Sequence, residues 1–380
     1  MQYFEFKGKK LSALGFGAMR LPVIDGDDTK IDEATTKDMV AYAFDHGINY
    51  FDTAWGYHGG NSELVMGQTL SAYPRDSFFL ATKFPGYDVG NFGKHEEIFE
   101  RQLEKCQVDY FDFYLMHNVC ELNIDSYLDD ETFGTVSYFK VQRNAGRIKH
   151  LGFSTHGTYE TFMRFMDAYG DDMEFCQIQL NYMDWEFQNA KAKAAYLHER
   201  GIAVLVMEPL RGGNLITLSD EDMATLEATR PGKSAVDWAL KWVAGVPGVM
   251  TVLSGMSTPE QLRENIEIFS TEDSLTEDER GMLESIGNAM AKSKGVPCTA
   301  CHYCTSHCPI ELDIPRLLEL YNEHLSRPGM KFWAPMAIAA MPEDKRPAAC
   351  IACGSCTKVC PQQIAIPDAL ADFAAQLAEG

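Results

Sequence analysis

Residues 49–83 read NYFDTAWGYHGGNSELVMGQTLSAYPRDSFFLATK. A short apolar run, Asn49–Ala54, is followed by a helical pattern over Ser62–Ala72 and a second apolar run, Ser77–Lys83. Runs of this length suit strands buried on both faces, and a helix between two of them makes their pairing parallel. The alternation extends outward in both directions. Strands are expected at Ser12–Met19, Tyr110–His117, His150–Thr155, Phe175–Asn181, Ile202–Glu208 and Val249–Gly255. Helices are expected at Glu33–His46, Glu96–Gln107, Glu131–Ala145, Tyr159–Ala168, Asn189–Arg200, Ser234–Val243 and Pro259–Ile268. That is eight strand–helix units in about 270 residues, which suits a closed (β/α)8 TIM barrel better than an open sheet. A long loop, Pro209–Gly232, interrupts the seventh unit, and long loops after barrel strands close over ligands.

The barrel is thus expected over residues 1–270, with a connecting helix and linker over 271–296 and a different unit over 297–380. That last unit carries one pattern twice. Cys298, Cys301, Cys304 and Cys308 precede Pro309; Cys350, Cys353, Cys356 and Cys360 precede Pro361. Both runs read C-x2-C-x2-C-x3-C-P, a spacing at which thiolates wrap an iron–sulfur cluster and the fourth cysteine serves the other cluster. Two [4Fe-4S] clusters are expected. Cys298, Cys301, Cys304 and Cys360 would hold the first, and Cys350, Cys353, Cys356 and Cys308 the second. Disulfides suit small secreted domains, and zinc sites usually pair their ligands two and two. The offset of 52 residues (350 minus 298) also maps Ile314-Pro315 onto Ile366-Pro367. Each Ile-Pro opens a helix, Arg316–Leu325 and Asp368–Leu377. A mainly helical ferredoxin-like unit follows. Between its halves, Phe332-Trp333-Ala334-Pro335-Met336 reads as packing, with a lid as the alternative.

The formal charge of −22 speaks against nucleic acid, whose phosphates need Lys and Arg. It suits solubility, and also docking to a basic redox partner. No apolar run approaches the roughly 18 residues of a membrane helix, and Met1–Lys10 lacks a signal-peptide core. A cytoplasmic location is expected. The other cysteines, Cys106, Cys120 and Cys176, read as core residues.

Barrel active sites gather where strands end. The second strand ends in Asp52, with Tyr57 in its loop, the third in Lys83 and the fourth in His117. A buried ammonium beside a phenol favours the phenolate. Tyr57 can then exchange a proton with a carbonyl oxygen, Asp52 can hold Lys83 charged, and His117 can orient the substrate. The alternative is that these are scattered polar residues.

Phe51-Asp52-Thr53-Ala54 with Tyr57, Thr82-Lys83 and Leu115-Met116-His117 resemble the aldo-keto reductase family. So do residues 146–154, reading GRIKHLGFS, and residues 257–265, reading STPEQLREN. With the cysteine unit, the chain is similar to the bacterial branch of that family that carries a C-terminal 4Fe-4S ferredoxin domain. The resemblance implies an NAD(P)H-dependent oxidoreductase reducing a small carbonyl, or oxidising an alcohol, with Tyr57 as general acid and base. It implies that Ser154 and Gln177 hold the nicotinamide carboxamide, and Glu264 and Asn265 the adenine. Thr155 stands where the family has Asn, Met207 where a Tyr stacks on the nicotinamide, and Gly255 and Met256 where a basic residue grips the 2′-phosphate. Pro209, Leu210, Arg211, Gly213, Ser257 and Gln261 complete the implied cofactor contacts, Arg211 and the glycine amides as phosphate donors.

Clusters carry single electrons, whereas nicotinamides carry hydride. Three readings stay open. The barrel works alone and the clusters are structural or sensory; or a flavin such as FMN, its phosphate near strands seven and eight, joins the two chemistries; or the chain is an electron-transfer protein with a non-catalytic barrel. Trp55, Tyr87, Phe92 and Trp185 are candidate pocket walls.

Overall fold

The apolar runs do form strands buried on both sides. The computed structural model describes residues 1–292, 295–326, 333–339 and 341–379. Its strands are β1 (Tyr3–Phe6), β2 (Lys9–Ser12), β3 (Leu14–Gly17), β4 (Tyr50–Asp52), β5 (Phe79–Phe84), β6 (Phe111–Val119), β7 (Ile148–Thr155), β8 (Phe175–Gln179), β9 (Ala203–Met207) and β10 (Val249–Ser254). Strands β3 to β10 pair in sequence order and close through β10 on β3, every pair parallel. This is the eight-stranded TIM barrel expected from the alternation.

Two stretches were not legible. β1 and β2 form an antiparallel hairpin. Its turn is Lys7-Gly8, both at positive φ (49° and 78°), where Asn or Asp before Gly is the usual signal. Phe6 and Leu11 from this hairpin join Tyr50, Phe113, Phe175, Leu205 and Leu253 in one buried cluster. Inside the long loop after β9, Asp220–Thr229 is a helix capped by Ser219, whose Oγ accepts from Asp222 N. Only Leu226 of that helix is buried, so it offers no apolar period to read.

The chain divides into two compact units: Met1–Leu210 with Leu218–Ser285, and Arg211–Thr217 with Ile286–Gly380. The segment Arg211–Thr217, expected to cover a ligand of the barrel, therefore groups with the cysteine-bearing residues.

That second unit is helical among the described residues, with helices at Ile314–Ser326, Trp333–Ala339, Ser355–Lys358 and Ile366–Glu379. Its packing repeats at the offset of the cysteines. Leu312 and Ile364, Ile314 and Ile366, Leu318 and Leu370, and Tyr321 and Phe373 are all buried in one core. The Tyr321 and Phe373 rings meet at 5.3 Å, so the equivalent positions of the two halves touch each other. Ala334 is buried. Phe332 lies outside the described residues, as do the side chains of Trp333 and Met336. Among the described residues no helix is long and apolar enough to cross a membrane.

Candidate functional site

Parallel pairing brings the strand ends to one rim of the barrel, and register decides which residues meet there. Asp52 stands opposite Ala81 on β5, two residues before Lys83. Lys83 is fully buried, and its Nζ donates to Asp52 Oδ1 at 2.6 Å and to Thr53 O at 2.8 Å. Burial pulls the Lys83 ammonium below its ordinary range and pushes Asp52 up, and their contact opposes both shifts. Lys83 Nζ lies 5.0 Å from the centre of the Tyr57 ring. The Tyr57 ring stands edge-on to His117, centres 6.0 Å apart. Burial, then the Lys83 charge, holds His117 far below the usual imidazole range, so this ring is neutral at pH 7. The four residues read from successive strand ends are thus brought together.

The loop carrying Tyr57 is fixed by its neighbour. His58 sits at φ 53°, buried, where a non-glycine residue is strained. Its Nε2 accepts from Leu21 N at 3.1 Å, and its Nδ1 lies 2.7 Å from Asp28 O, which makes Nδ1 the protonated nitrogen.

Behind Lys83 lies a polar network that the sequence reading missed. Glu63, fully buried, accepts from Thr82 Oγ1, Gln102 Nε2 and Lys105 Nζ, each at 2.7 Å. Gln102 Nε2 also donates to Lys83 O at 2.9 Å. Satisfied networks of this kind hold a strand end in one position. A signal was available: Gln102 and Lys105 occupy core-facing positions of a helix alongside Ile98, Phe99 and Cys106.

Ser154 and Gln177 are neighbours in register on β7 and β8. Ser154 Oγ accepts from Asn118 N at 2.9 Å, leaving its hydrogen to donate. Gln177 Nε2 reaches Met207 Sδ at 3.6 Å. Gln177 Oε1 is buried and meets no hydrogen-bond donor among the described residues. A buried amide acceptor in this state fits a carboxamide N–H. Thr155, by contrast, spends its hydroxyl on Val119 O at 2.7 Å.

After β10, Gly255 and Ser257 are exposed, and Ser257 N is held by Gln261 Oε1 at 2.7 Å. Glu264 accepts from Ser234 Oγ at 2.8 Å, and Asn265 donates to Ser254 Oγ at 2.9 Å. The cation not found in this loop stands beside it. A Cβ on Gly255 would fall 3.0–3.2 Å from the Arg20 side-chain carbons, and Ser257 Oγ donates to Arg20 O at 2.9 Å. Arg20 comes from the loop after β3, far away in sequence, which is why the motif around Gly255 did not point to it.

Pro209 is buried, Leu210 is half-buried, and the chain then turns into the second unit. Arg211 is fully buried there, Nη1 donating to Pro297 O at 3.0 Å and Nη2 to Gln362 Oε1 at 2.7 Å. Gly213 follows at φ 94°. Of the aromatic wall candidates, Tyr87 stands edge-on to His117 with ring centres 5.1 Å apart, and Lys105 Nζ lies over Trp55. Phe92 packs among Phe84, Tyr127 and Phe133, and Trp185 packs on Trp242.

In the second unit the cysteines line two small cavities. Cys298, Cys301, Cys304 and Cys360 line one; Cys350, Cys353, Cys356 and Cys308 line the other. Each cavity takes three cysteines from one run and the fourth from its twin. The loops curl by left-handed residues that also repeat at the offset of 52: Ala300 and Ala352, His302 and Gly354, Glu311 and Gln363. Ala300 N points at Cys298 Sγ and Leu312 N at Cys308 Sγ, each at 3.4 Å. Sulfurs ringed around a cavity and met by backbone N–H groups fit an inorganic cluster. Among the described residues no three His, Cys, Asp or Glu side chains close on a single ion. Outside these runs, Cys106 and Cys176 are buried in the barrel and Cys120 is half-buried.

Two family models match the chain. The aldo/keto reductase family model covers residues 13–288, and a 4Fe-4S dicluster domain covers residues 297–365. L-galactose dehydrogenase of Arabidopsis thaliana is 26% identical over 73% of this chain and 90% of its own. NADH-specific methylglyoxal reductase of Escherichia coli is 23% identical over 74% and 96%. Among solved structures, aldo-keto reductase AKR11C1 from Bacillus halodurans superposes with a TM-score of 0.62 at 23% identity, over 75% of this chain and 96% of its own. An aldo/keto reductase from Klebsiella pneumoniae, solved with NADP and acetate, superposes with a TM-score of 0.60 at 21% identity, over 74% and 93%. The family match spans well over half of the chain, and the protein is an oxidoreductase that belongs to the aldo/keto reductase family.

Proposed function

We propose that the barrel reduces a small carbonyl compound with NAD(P)H, or oxidises the corresponding alcohol, and that Tyr57 is its acid and base. The carrying observation is the buried Lys83–Asp52 pair, 2.6 Å across, with its ammonium 5.0 Å from the Tyr57 ring centre. A nicotinamide, when bound, supplies the hydride. Lys83 stabilises the Tyr57 phenolate, so Tyr57 can give its proton to the carbonyl oxygen and recover it in reverse. Neutral His117 donates a hydrogen bond to the same oxygen. Ser154 and Gln177 orient the carboxamide, and Glu264 and Asn265 face the adenine. Arg20, over Gly255, supplies the cation for a cofactor phosphate together with the N-terminus of the helix Pro259–Ile268. The NADP seen with the Klebsiella relative supports this reading, and the NADH-specific relative keeps the dinucleotide choice a matter for Arg20.

The second unit, in the same proposal, holds two [4Fe-4S] clusters on the crossed cysteine sets and passes single electrons to an outside redox partner. Cytoplasmic thiol-reducing conditions suit these cysteines. No observation favours the flavin alternative, and Arg211, read as a phosphate donor to the cofactor, is engaged by Pro297 and Gln362. The decisive experiment is Tyr57→Phe assayed anoxically with NADPH or NADH and methylglyoxal. We expect kcat to fall about 10²–10⁴-fold with the visible absorbance of the clusters unchanged. Undiminished turnover in that variant removes Tyr57 from the chemistry and returns the barrel to a scaffold role.

A further inference from the structure

We propose that a second buried ion pair, Glu63–Lys105, positions the first, Asp52–Lys83, together with the loop that carries Tyr57, so that Glu63 and Lys105 are positioning residues of the carbonyl chemistry. The inference rests on the reading of Tyr57 and Lys83 above and goes beyond it, because that reading gives neither residue a part.

Glu63 stands in the first turn of the helix Ser62–Leu70, just past the Tyr57 loop, and its two oxygens face different ways. Oε1 accepts from Thr82 Oγ1 and from Gln102 Nε2, which also donates to Lys83 O; Oε2 accepts from Lys105 Nζ. Successive residues of a strand point to opposite faces, so Thr82 turns to Glu63 while Lys83 turns to Asp52. The second pair thus presents its negative end to the strand that carries Lys83 and its positive end away from it. Asp52 is the less firmly held carboxylate: Oδ1 takes Lys83 Nζ, and Oδ2 is buried with no hydrogen-bond donor among the described residues. Lys105 reaches the Tyr57 loop at both ends. Its Nζ lies 4.7 Å from the centre of the Trp55 ring, just before Tyr57, and 4.0 Å from where a Cβ on Gly60 would stand, just after it. Close helix packing fixes this reach, since a Cβ on Gly67 would collide with Lys105 O.

The charges involved can be named. Facing Lys83 are Asp52 from β4, Tyr57 from its loop, His117 from β6 and, across its own strand, Glu63. Facing Glu63, besides Lys105, are Tyr87, Cys106 and Tyr114. Burial pushes these two phenols and the thiol up and holds His117 down, so none of the four is charged at pH 7. The Glu63 carboxylate supports the Lys83 ammonium against burial, as Asp52 does more strongly, and Lys105 offsets part of that support. All four charged side chains are buried, so salt and water screen these effects little.

The test is the pH profile of kcat/KM, taken anoxically on the full-length holoprotein with NADPH or NADH and methylglyoxal. Glu63→Gln keeps the shape and removes the negative charge. Its alkaline limb should move to lower pH by about one unit, because the Lys83 ammonium loses support. Lys105→Met removes the opposite charge and should move the limb to higher pH by a similar amount. In both, kcat should fall while KM for methylglyoxal stays near the parent value. The double variant should return near the parent limb, and Lys105→Arg, which keeps the charge, should not move it. Lost packing alone lowers activity without moving the limb in opposite directions. A limb that stays, or that moves the same way in Glu63→Gln and Lys105→Met, overturns the proposal. Should Glu63→Gln fail to fold, Lys105→Met against Lys105→Arg decides: equal limbs in the two overturn it. Undiminished turnover of Tyr57→Phe overturns the reading of the site itself, whereas an impaired Tyr57→Phe with an unmoved limb in the other variants overturns this inference alone.

Discussion

At the scale of single residues, the contest at the barrel rim around Lys83 is between burial and charge. Burial lowers Lys83, and the Asp52 carboxylate raises it again. Asp52→Asn keeps the shape and removes the charge. Lys83 should then lose its proton at a lower pH, and the alkaline limb of kcat/KM for carbonyl reduction should move to lower pH. A pH–rate profile reads this directly, and a limb that stays or moves upward would sink the assigned pairing. Arg20 makes the second prediction at this scale. Arg20→Ala should raise KM for NADPH about tenfold or more, the worth of one charge-assisted phosphate contact, while changing KM for NADH far less. Equal effects on both cofactors would show that Arg20 does not meet the 2′-phosphate.

At the scale of elements, close approach outweighs propensity. Gly67 lies in the helix Ser62–Leu70, where Ala would ordinarily be better by about 1 kcal/mol. A Cβ there would fall 2.7 Å from the Cys106 backbone, which cannot yield. Gly67→Ala should therefore destabilise the protein by ~1–3 kcal/mol, measured as a lowered midpoint in denaturant. A gain in stability would show that the helices part freely. These elements were legible because the strands are short apolar runs and the helices mostly have one apolar face, so all eight units fall within a few residues of their expected bounds. The hairpin β1–β2 and the helix Asp220–Thr229 were not, because one turns on Lys-Gly and the other has no buried face. The juxtaposition of Asp52, Lys83 and His117, with Tyr57 on the adjoining loop, was legible from the strand ends and that loop. The placement of Glu63 and Arg20 was not, since each is set by contacts with residues far along the chain. The segment Arg211–Thr217 was misplaced for a related reason: local sequence shows a phosphate-like loop, and only the fold shows which unit it joins.

At the scale of the whole molecule, the two units are stabilised differently. The barrel has an extensive core of its own, while the second unit packs a dozen or so apolar residues between two cavities. Cores that small depend on their metal. Iron removal by a chelator in air should expose residues 295–379 to protease while leaving 1–210 and 218–285 protected, which mass spectrometry of the fragments would report. Simultaneous loss of both regions would show that the barrel depends on the clusters too. The repeat itself has a consequence for descent. Each cavity takes three sulfurs from one half and the fourth from the other, and Tyr321 meets Phe373 at equivalent positions. One half alone completes neither set, whereas two copies of one half, paired about that contact, complete both. Carried in one chain rather than on two identical ones, the two halves are free to differ at matching positions, as Gln362 and Ile310 do.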